Sequence, residues 1–269
     1  MILDFITWNV DPELFSLDIF GFTLAPRWYG LLFAASFFFG YIIMLKFFKK
    51  EGIPEKVLET LTTYMLIATV LGARLGHVLF YQPDYYFAHP GEILKIWEGG
   101  LASHGAAAGI LVAIYIFSIK EKRGFLWAMD RIVIVTALAA VFIRTGNLIN
   151  SEIYGHITTM PWGFRFIRDY PAGAIVDPRH PTQIYEAIAY LFTFIFLYKY
   201  YWKKEGKTAD GYLLGMFLIM IFGIRFFIEF LKEDQVGFEA GMVLNMGQLL
   251  SIPLVLGGAA LVWRSRKFN

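Results

Sequence analysis

The stretch WYGLLFAASFFFGYIIML, residues 28–45, contains no charged side chain and decides the class of fold. A helix needs about 20 mostly apolar residues to cross the hydrocarbon core of a membrane. Because this stretch has nearly that length, it predicts a membrane-spanning helix. The composition agrees, since 57% of the residues are hydrophobic, 18% are aromatic and the mean hydropathy is +0.54. The hydrophobic fraction exceeds that of an ordinary soluble domain.

Further apolar segments follow the first along the chain. They lie at 57–80, 101–119, 126–143, 184–201, 212–231 and 246–263. We therefore expect an all-α integral membrane protein with seven transmembrane helices, built as a single membrane-embedded domain over residues 1–269. The connection between the fourth and fifth helices, about 144–183, is far longer than the others. Loops of this length are usually functional or disordered. Because this one is too rich in aromatic and apolar residues to be a plain linker, we expect it to fold as an external cap.

Lysine and arginine residues cluster after alternate segments, which predicts the orientation. The clusters consist of Lys46, Lys49, Lys50 and Lys56, then Lys120, Lys122 and Arg123, then Lys199, Lys203, Lys204 and Lys207, and finally Arg264, Arg266 and Lys267. Positive side chains of short loops stay on the cytoplasmic side. The carboxyl terminus is therefore expected in the cytoplasm and the acidic amino-terminal stretch outside. Four further arginines in the long external connection, Arg144, Arg165, Arg168 and Arg179, suggest attraction of an anion there.

The chain lacks cysteine, which excludes disulfides, thiolate metal sites and a cysteine nucleophile. Histidine is scarce, and no pair has the His-Glu-x-x-His spacing of a zinc enzyme. We therefore expect neither a metal nor another cofactor. The net charge of +2 is too small to indicate a nucleic-acid partner.

Two arginines interrupt apolar segments, Arg74 in GARLGHVLFY and Arg225 in FGIRFFIEF. An arginine at the centre of a spanning helix costs roughly 2.5–3.5 kcal/mol on insertion scales, so it needs a partner or an anionic ligand. A lipid phosphate is the obvious anion. Arg225 and Glu229 are one helical turn apart, and spacing alone leaves a structural ion pair and a functional site equally open. For Arg74 the structural interpretation, a lock between helices, is preferred over a phosphate contact.

Pairs of glycines four residues apart predict close helix packing at three places. The pairs are Gly72 with Gly76, Gly105 with Gly109, and Gly211 with Gly215. A denser polar string, IRTGNLINSEIYGH, occupies residues 143–156. Arg144 supplies a forked cation, and the amides of Asn147 and Asn150 are suited to donate to oxygen. The string is thus chemically suited to hold a phosphate.

Seven motifs in order resemble those of the bacterial prolipoprotein diacylglyceryl transferase family. They are RWYG at 27–30, GARLGHVLFY at 72–81, GGLASHGAAAG at 99–109, RTGNLINSEIYG at 144–155, HPTQIYEA at 180–187, RFFIEF at 225–230 and MGQLLSIP at 246–253. The resemblance implies transfer of a diacylglyceryl group from phosphatidylglycerol to the thiol of the lipobox cysteine in a prelipoprotein. It also implies release of glycerol phosphate, at the outer face of the bacterial cytoplasmic (inner) membrane.

The same resemblance implies functional residues. The catalytic set is His104, Arg144 and Arg225, and the substrate-binding set is Tyr29, Asn147, Glu152, Gly155 and Glu229. His104 is the best candidate for the base, and the two arginines are expected to hold the phosphate. Two departures are notable. The usual Asn-Gly-Glu reads Asn150-Ser151-Glu152, and the common Arg-x-Pro-Asp reads Lys232-Glu233-Asp234.

Two other classes of function stay open on the residues alone. An anion transporter or channel would also place Arg74 and Arg225 inside a helix bundle. The lack of paired half-repeats counts against it. An intramembrane serine protease would use Ser103 with His104, but adjacent helical residues point about 100° apart.

Overall fold

The computed structural model describes residues 5–19, 22–168, 170–233, 239 and 241–266. Asp234 and Lys267 lie outside the described residues. Helices make up most of the described chain. They are α1 (Trp28–Lys50), α2 (Glu55–Phe80), α3 (Pro83–Ala88), α4 (Ser103–Lys120), α5 (Phe125–Ile149), α6 (Thr182–Lys203), α7 (Tyr212–Ile228) and α8 (Met246–Arg266). A 3₁₀ turn, Glu229–Leu231, extends α7.

Six helices within the described residues are long and apolar enough to cross a membrane. They are α1, α2, α4, α5, α7 with its 3₁₀ extension, and α8. The chain is therefore a mainly helical, multi-pass membrane protein. Helix α6, predicted from the sequence as the fifth span, is 22 residues long but is not one of the six. Gln183, Glu186 and several tyrosines interrupt its apolar sequence, so it has no 18-residue stretch as apolar as those of the six.

The part of the chain that the structure describes also contains four three-residue strands, which were not predicted from the sequence. They are β1 (Ile6–Trp8), β2 (Leu17–Ile19), β3 (Phe22–Leu24) and β4 (Phe164–Phe166). Strand β1 pairs in parallel with β4, and β2 pairs antiparallel with β3. Their aromatic and β-branched side chains favour extended backbone.

The connection between α5 and α6 runs from 150 to 181 and contains β4. Arg144, expected at the start of this connection, lies instead on α5, whose helical hydrogen bonds continue to Ile149. Phe164, Phe166 and Leu148 form a buried cluster, and Trp8 packs against it. The indole N–H of Trp8 donates to the carbonyl oxygen of Leu148 at 2.9 Å. The strands thus cover the end of α5 at which the polar string begins.

The chain divides into two compact units, one formed by 1–43 and 132–269 and the other by 44–131. In the 44–131 unit, α2 packs closely on α4, because a Cβ added at Gly76 would lie 2.7 Å from Cα of Gly105. In the other unit, a Cβ at Gly215 would lie 2.7 Å from the carbonyl oxygen of Gly258 on α8. Close packing is thereby confirmed for the first two glycine pairs and for Gly215, whereas Gly211 precedes α7 with φ 89°.

Candidate functional site

Polar residues of the unit formed by 1–43 and 132–269 gather at one end of its helices. Arg144 lies near the carboxyl end of α5, and Arg225 lies near that of α7. Glu186 lies near the amino end of α6. Tyr29 is the second residue of α1, and its ring packs against Gly146 of α5, where an added Cβ would lie 2.7 Å from Cδ2 of Tyr29.

Glu186 is fully buried and contacts two cations. Its Oε2 lies 2.8 Å from Nε of Arg144, and its Oε1 lies 2.9 Å from Nζ of Lys232. The hydroxyl of Tyr190 also donates to Oε1 at 3.1 Å. Among the described residues no donor is aligned on Oε2. The Arg144 contact is thus an ion pair rather than a well-directed hydrogen bond.

Glu229 is a second buried carboxylate and contacts the same lysine. Its Oε1 lies 3.2 Å from Nε of Arg225 and 3.1 Å from Nζ of Lys232. Asn245 donates from Nδ2 to Oε2 at 3.2 Å. A Cβ added at Gly247 would lie 2.6 Å from Oε1, so this glycine gives the carboxylate its space. The Arg225 and Glu229 pair expected from their spacing is therefore formed.

These contacts join five charged residues in a chain, which we call the bridging network. Its order is Arg144, Glu186, Lys232, Glu229 and Arg225. The carboxylates are buried, but the Arg225 side chain is 36% exposed and that of Arg144 is 13% exposed. Neither arginine has a carboxylate to itself, since each carboxylate is shared with Lys232. The network holds the guanidinium groups in place and leaves part of their surface open.

Sequence reasoning missed Lys232 and Glu186. The departure Lys232-Glu233-Asp234 was noted only as the loss of an arginine, yet Lys232 is 3% exposed and keeps a cation at that position. From the sequence, Glu186 in TQIYEA is expected only to line a cavity or to bond to the backbone. A buried carboxylate is costly unless it is paired with a cation. The position of Glu186 in an apolar segment was therefore the sequence signal that could have indicated a buried ion pair.

The polar string at 143–156 extends the network through amides. Nη1 of Arg144 donates to Oδ1 of Asn147 at 3.1 Å, and Nδ2 of Asn147 donates to Oε1 of Glu152 at 2.8 Å. Asn150 donates to the same Oε1 at 3.2 Å. Both asparagines were expected to face a phosphate. Their amide N–H groups instead orient Glu152, which is thereby linked to Arg144.

Two backbone features shape this string. Ser151 has φ 58°, a left-handed conformation that glycine adopts more easily, and it stands where the related motif has glycine. Gly155 pairs with Lys232 in an isolated antiparallel bridge. A Cβ at Gly155 would overlap the carbonyl oxygen of Leu231. Gly155 therefore allows the backbone that carries Lys232 to come close.

Two arginines of the long connection, Arg168 and Arg179, have contacts within the protein. Arg168 donates from Nη1 to the carbonyl oxygen of Ile149 at 3.1 Å and from Nη2 to that of Asn150, so it caps α5. Arg179 pairs with Glu233. Burial is the largest single effect and opposes the charge of Arg179, but the hydrogen bond to Glu233, the negative charge of Glu233 and the nearby tyrosines together raise the pKa of the guanidinium.

In the unit formed by 44–131, His104 is the second residue of α4 and is exposed. Its ring centroid lies 5.5 Å from that of Phe80 and 5.8 Å from that of Tyr81. A histidine beside glycine and serine can instead be a buried residue whose imidazole is hydrogen-bonded. The imidazole of His104 is exposed, which does not fit such a role, and it is accessible to a substrate.

Arg74 of the same unit is 4% exposed and bound by backbone carbonyls. Nε donates to Ile93 at 2.9 Å, and Nη2 donates to Glu92 at 2.6 Å. Nη1 donates to Gly99 at 2.7 Å and to Gly100 at 3.1 Å. These contacts tie α2 to the segment before α4 and favour the structural interpretation. The guanidinium borders a cavity of about 620 Å³ whose lining includes His77, Tyr81, Asp84 and Glu92.

Comparison with known proteins decides the family. A family model described as prolipoprotein diacylglyceryl transferase matches residues 15–264, nearly the whole chain. The chain belongs to this family. The assignment favours a transferase over the anion transporter and the serine protease.

Individual relatives agree over their full length. A phosphatidylglycerol–prolipoprotein diacylglyceryl transferase of Tolumonas auensis is 46% identical over 263 residues, which is 97% of this chain and 97% of the relative. The protein of that name from Porphyromonas gingivalis is 46% identical over 274 residues, covering 98% and 95% respectively. The protein of that name from Chloroherpeton thalassium is 45% identical over 266 residues, again covering 98% and 95%.

Proposed function

We propose that this chain transfers an sn-1,2-diacylglyceryl group from phosphatidylglycerol to the thiol of the lipobox cysteine of a prelipoprotein. The reaction forms a thioether and releases glycerol phosphate. Family membership supports the reaction class. The observation that carries the proposal is the bridging network, in which two arginine side chains that are partly exposed are held at one end of the helices by shared, buried carboxylates.

The arginines supply what the leaving group needs. The sulfur of the cysteine forms a bond to the glycerol carbon while the bond from that carbon to the phosphate oxygen breaks. The oxygen leaves with the electron pair, so negative charge increases on the phosphate. Arg144 and Arg225 hold that phosphate. One preorganised donor of this kind contributes about 3–4 kcal/mol to transition-state stabilisation in a water-poor site.

The thiol must lose its proton before or during attack. An ordinary cysteine thiol has a pKa of about 8.5, so most of it is protonated at neutral pH and a base is needed to remove the proton. We assign this role to His104, because its imidazole is exposed and histidine exchanges protons near neutral pH. His104 holds the thiol proton when glycerol phosphate leaves. No metal or other cofactor takes part in the proposed reaction.

The remaining residues bind or position the substrates. We assign Tyr29 to the lipid headgroup, since it borders the carboxyl end of α5. Asn147 and Glu152 orient Arg144, and Glu229 orients Arg225. Gly155 does not contact a substrate in this proposal. Because it has no side chain, it allows the backbone of Leu231 to come close.

The membrane arrangement is part of the proposal. We propose a single domain over 1–269 that crosses the bacterial inner membrane seven times, with α6 as the fifth span and residues 150–181 as an external cap. The amino terminus then lies outside and the carboxyl terminus in the cytoplasm. Glu186 and Lys203 support this, because they lie near opposite ends of α6, about 25 Å apart at about 1.5 Å per residue. The bridging network thus lies at the end of α6 opposite the basic cluster that follows this helix, toward the proposed outer leaflet.

The proposed partners are phosphatidylglycerol, the signal peptide of a prelipoprotein with its lipobox cysteine, and surrounding membrane lipids, with no nucleic acid. Purified protein is incubated with phosphatidylglycerol and a lipobox peptide, and the peptide is weighed by mass spectrometry. The peptide should gain the mass of one diacylglyceryl group. An unchanged mass with a folded protein would overturn the proposal, and uptake of an anion into vesicles would favour a transporter.

The role of His104 is tested in the same assay. His104→Gln removes the base from an exposed position, so the transfer rate should fall by about 10²–10⁴-fold while the thermal unfolding temperature stays unchanged. His89→Gln, which alters another exposed histidine, serves as the matched control. Equal rates for the two variants would exclude His104 as the base.

A further inference from the structure

We infer that Lys232 is a positioning residue that sets the charge of the bridging network so that an anionic headgroup can bind. The inference rests on the proposed function and adds a residue to it. Lys232 does not need to touch the phosphate for this role. It acts through Glu186 and Glu229, which in turn hold the two arginines.

The contacts of Lys232 make it the connecting element. Its ammonium lies 2.9 Å from Oε1 of Glu186 and 3.1 Å from Oε1 of Glu229. Its side chain is 2% exposed, and the two carboxylates are 0% and 4% exposed. Solvent cannot screen charges that are buried to this degree, so the sum of charges in the network matters.

Charge counting shows what the lysine changes. The bridging network contains two buried carboxylates, Glu186 and Glu229, whereas the carboxylate of Glu152 is exposed and is screened by solvent. Without Lys232, the charges of the two arginines and the two buried carboxylates would sum to zero. Lys232 raises the sum to +1, and a net positive charge favours binding of an anionic headgroup.

The backbone fixes the lysine in this place. The N–H of Lys232 donates to the carbonyl oxygen of Glu229 at 3.2 Å, and Lys232 pairs with Gly155 in an antiparallel bridge. The N–H of His156 donates to the carbonyl oxygen of Leu231 at 2.8 Å. A lysine anchored on both sides of its Cα keeps its ammonium near both carboxylates at a low entropic cost.

Lys232→Met tests the inference by removing the charge while keeping a long apolar stem. KM for phosphatidylglycerol, and the inhibition constant of soluble glycerol phosphate, should each rise at least about tenfold. A merely structural loss would reduce the active fraction, and hence kcat, without changing either constant. Lys204→Met, at an exposed lysine beyond the far end of α6, is the matched control and should leave both constants unchanged.

Two further variants distinguish charge from shape. Lys232→Arg keeps the cation and should retain both constants within about threefold. In the double variant with Lys232→Met and Glu186→Gln, one cation and one carboxylate are both neutralised. The net charge of the bridging network is then that of wild type, and both constants should return toward wild type. Unchanged constants in Lys232→Met would overturn the inference. A double variant that binds phosphatidylglycerol more weakly than Lys232→Met would also overturn it.

Folding and function are separated by two controls. Thermal unfolding in detergent is measured for every variant. If Lys232→Met does not fold, the double variant is measured in its place. Because its network has the wild-type net charge, the double variant should fold and bind the headgroup. A double variant that does not would contradict the inference. Wild-type protein that transfers no lipid would instead contradict the proposed function.

Discussion

The carbonyl oxygen of Leu231 accepts a hydrogen bond from the N–H of His156 at 2.8 Å and occupies the space that a side chain at Gly155 would need. The two segments therefore meet through their backbones. Because the next residue is Lys232, this contact places the lysine of the bridging network.

Gly155→Ala should push the Leu231 backbone away and weaken both folding and transfer. Overpacking of this kind costs about 1–3 kcal/mol. Thermal unfolding in detergent and the peptide mass assay measure the two effects. Gly257→Ala is the control, because an added Cβ there meets nothing within 4 Å. Wild-type stability in Gly155→Ala would show that the Leu231 backbone moves without cost.

Ser151→Gly should stabilise the protein. Ser151 has φ 58°, and a left-handed conformation costs a residue with a Cβ about 1–2 kcal/mol. Its hydroxyl is buried and has no hydrogen-bond partner in the described part of the chain, so removing it loses no bond. The unfolding temperature should rise and the transfer rate should stay close to wild type. A lower unfolding temperature would contradict the conformational argument.

Much of the fold could be predicted from the sequence, because spanning helices are specified by local composition. The segment predicted at 28–45 lies within α1, Trp28–Lys50, and the charged residues at its end extend the helix beyond the apolar part. The pairing of Ile6 with Phe164 could not be predicted, since it joins short strands far apart in the chain.

The site was predictable only in part. Arg144 and Arg225 were identified, since fixed charges in apolar segments are conspicuous. Lys232 and Glu186 are 46 positions apart in the sequence, and their contact depends on tertiary packing. The asparagine amides were predicted to donate to oxygen, and the oxygen that accepts their hydrogen bonds in the structure is Oε1 of Glu152. The sequence therefore indicates which residue types belong to the candidate site, whereas the direction of each side chain depends on the tertiary fold.

Arg74→Met should destabilise the protein without changing substrate affinity. Four hydrogen bonds to backbone carbonyls would be lost, and each buried acceptor left unpaired costs about 1–3 kcal/mol. The unfolding temperature should fall clearly below that of Arg266→Met, an exposed control. KM for phosphatidylglycerol should stay the same in the folded fraction. A raised KM with unchanged stability would instead place Arg74 at the phosphate.

His180 should make stability depend on pH. Burial, and then the nearby His156, lower the pKa of His180 below its ordinary value of 6.5. The unfolded chain therefore binds more protons than the folded chain between the two pKa values. Stability is fully present above pH 6.5 and falls as the pH drops toward the folded pKa. The unfolding temperature of His180→Gln should decline less over this range, and an equal decline would exclude His180 as the cause.

The central claim is that Arg144 and Arg225 hold the phosphate as it leaves. The most direct measurement is the rate at which a lipobox peptide gains diacylglyceryl mass from phosphatidylglycerol, for Arg144→Ala and Arg225→Ala beside the exposed control Arg264→Ala. Each site variant, with folding confirmed, should lose at least about 10²-fold in rate, and the control should match wild type. Full activity in folded Arg144→Ala would contradict the account.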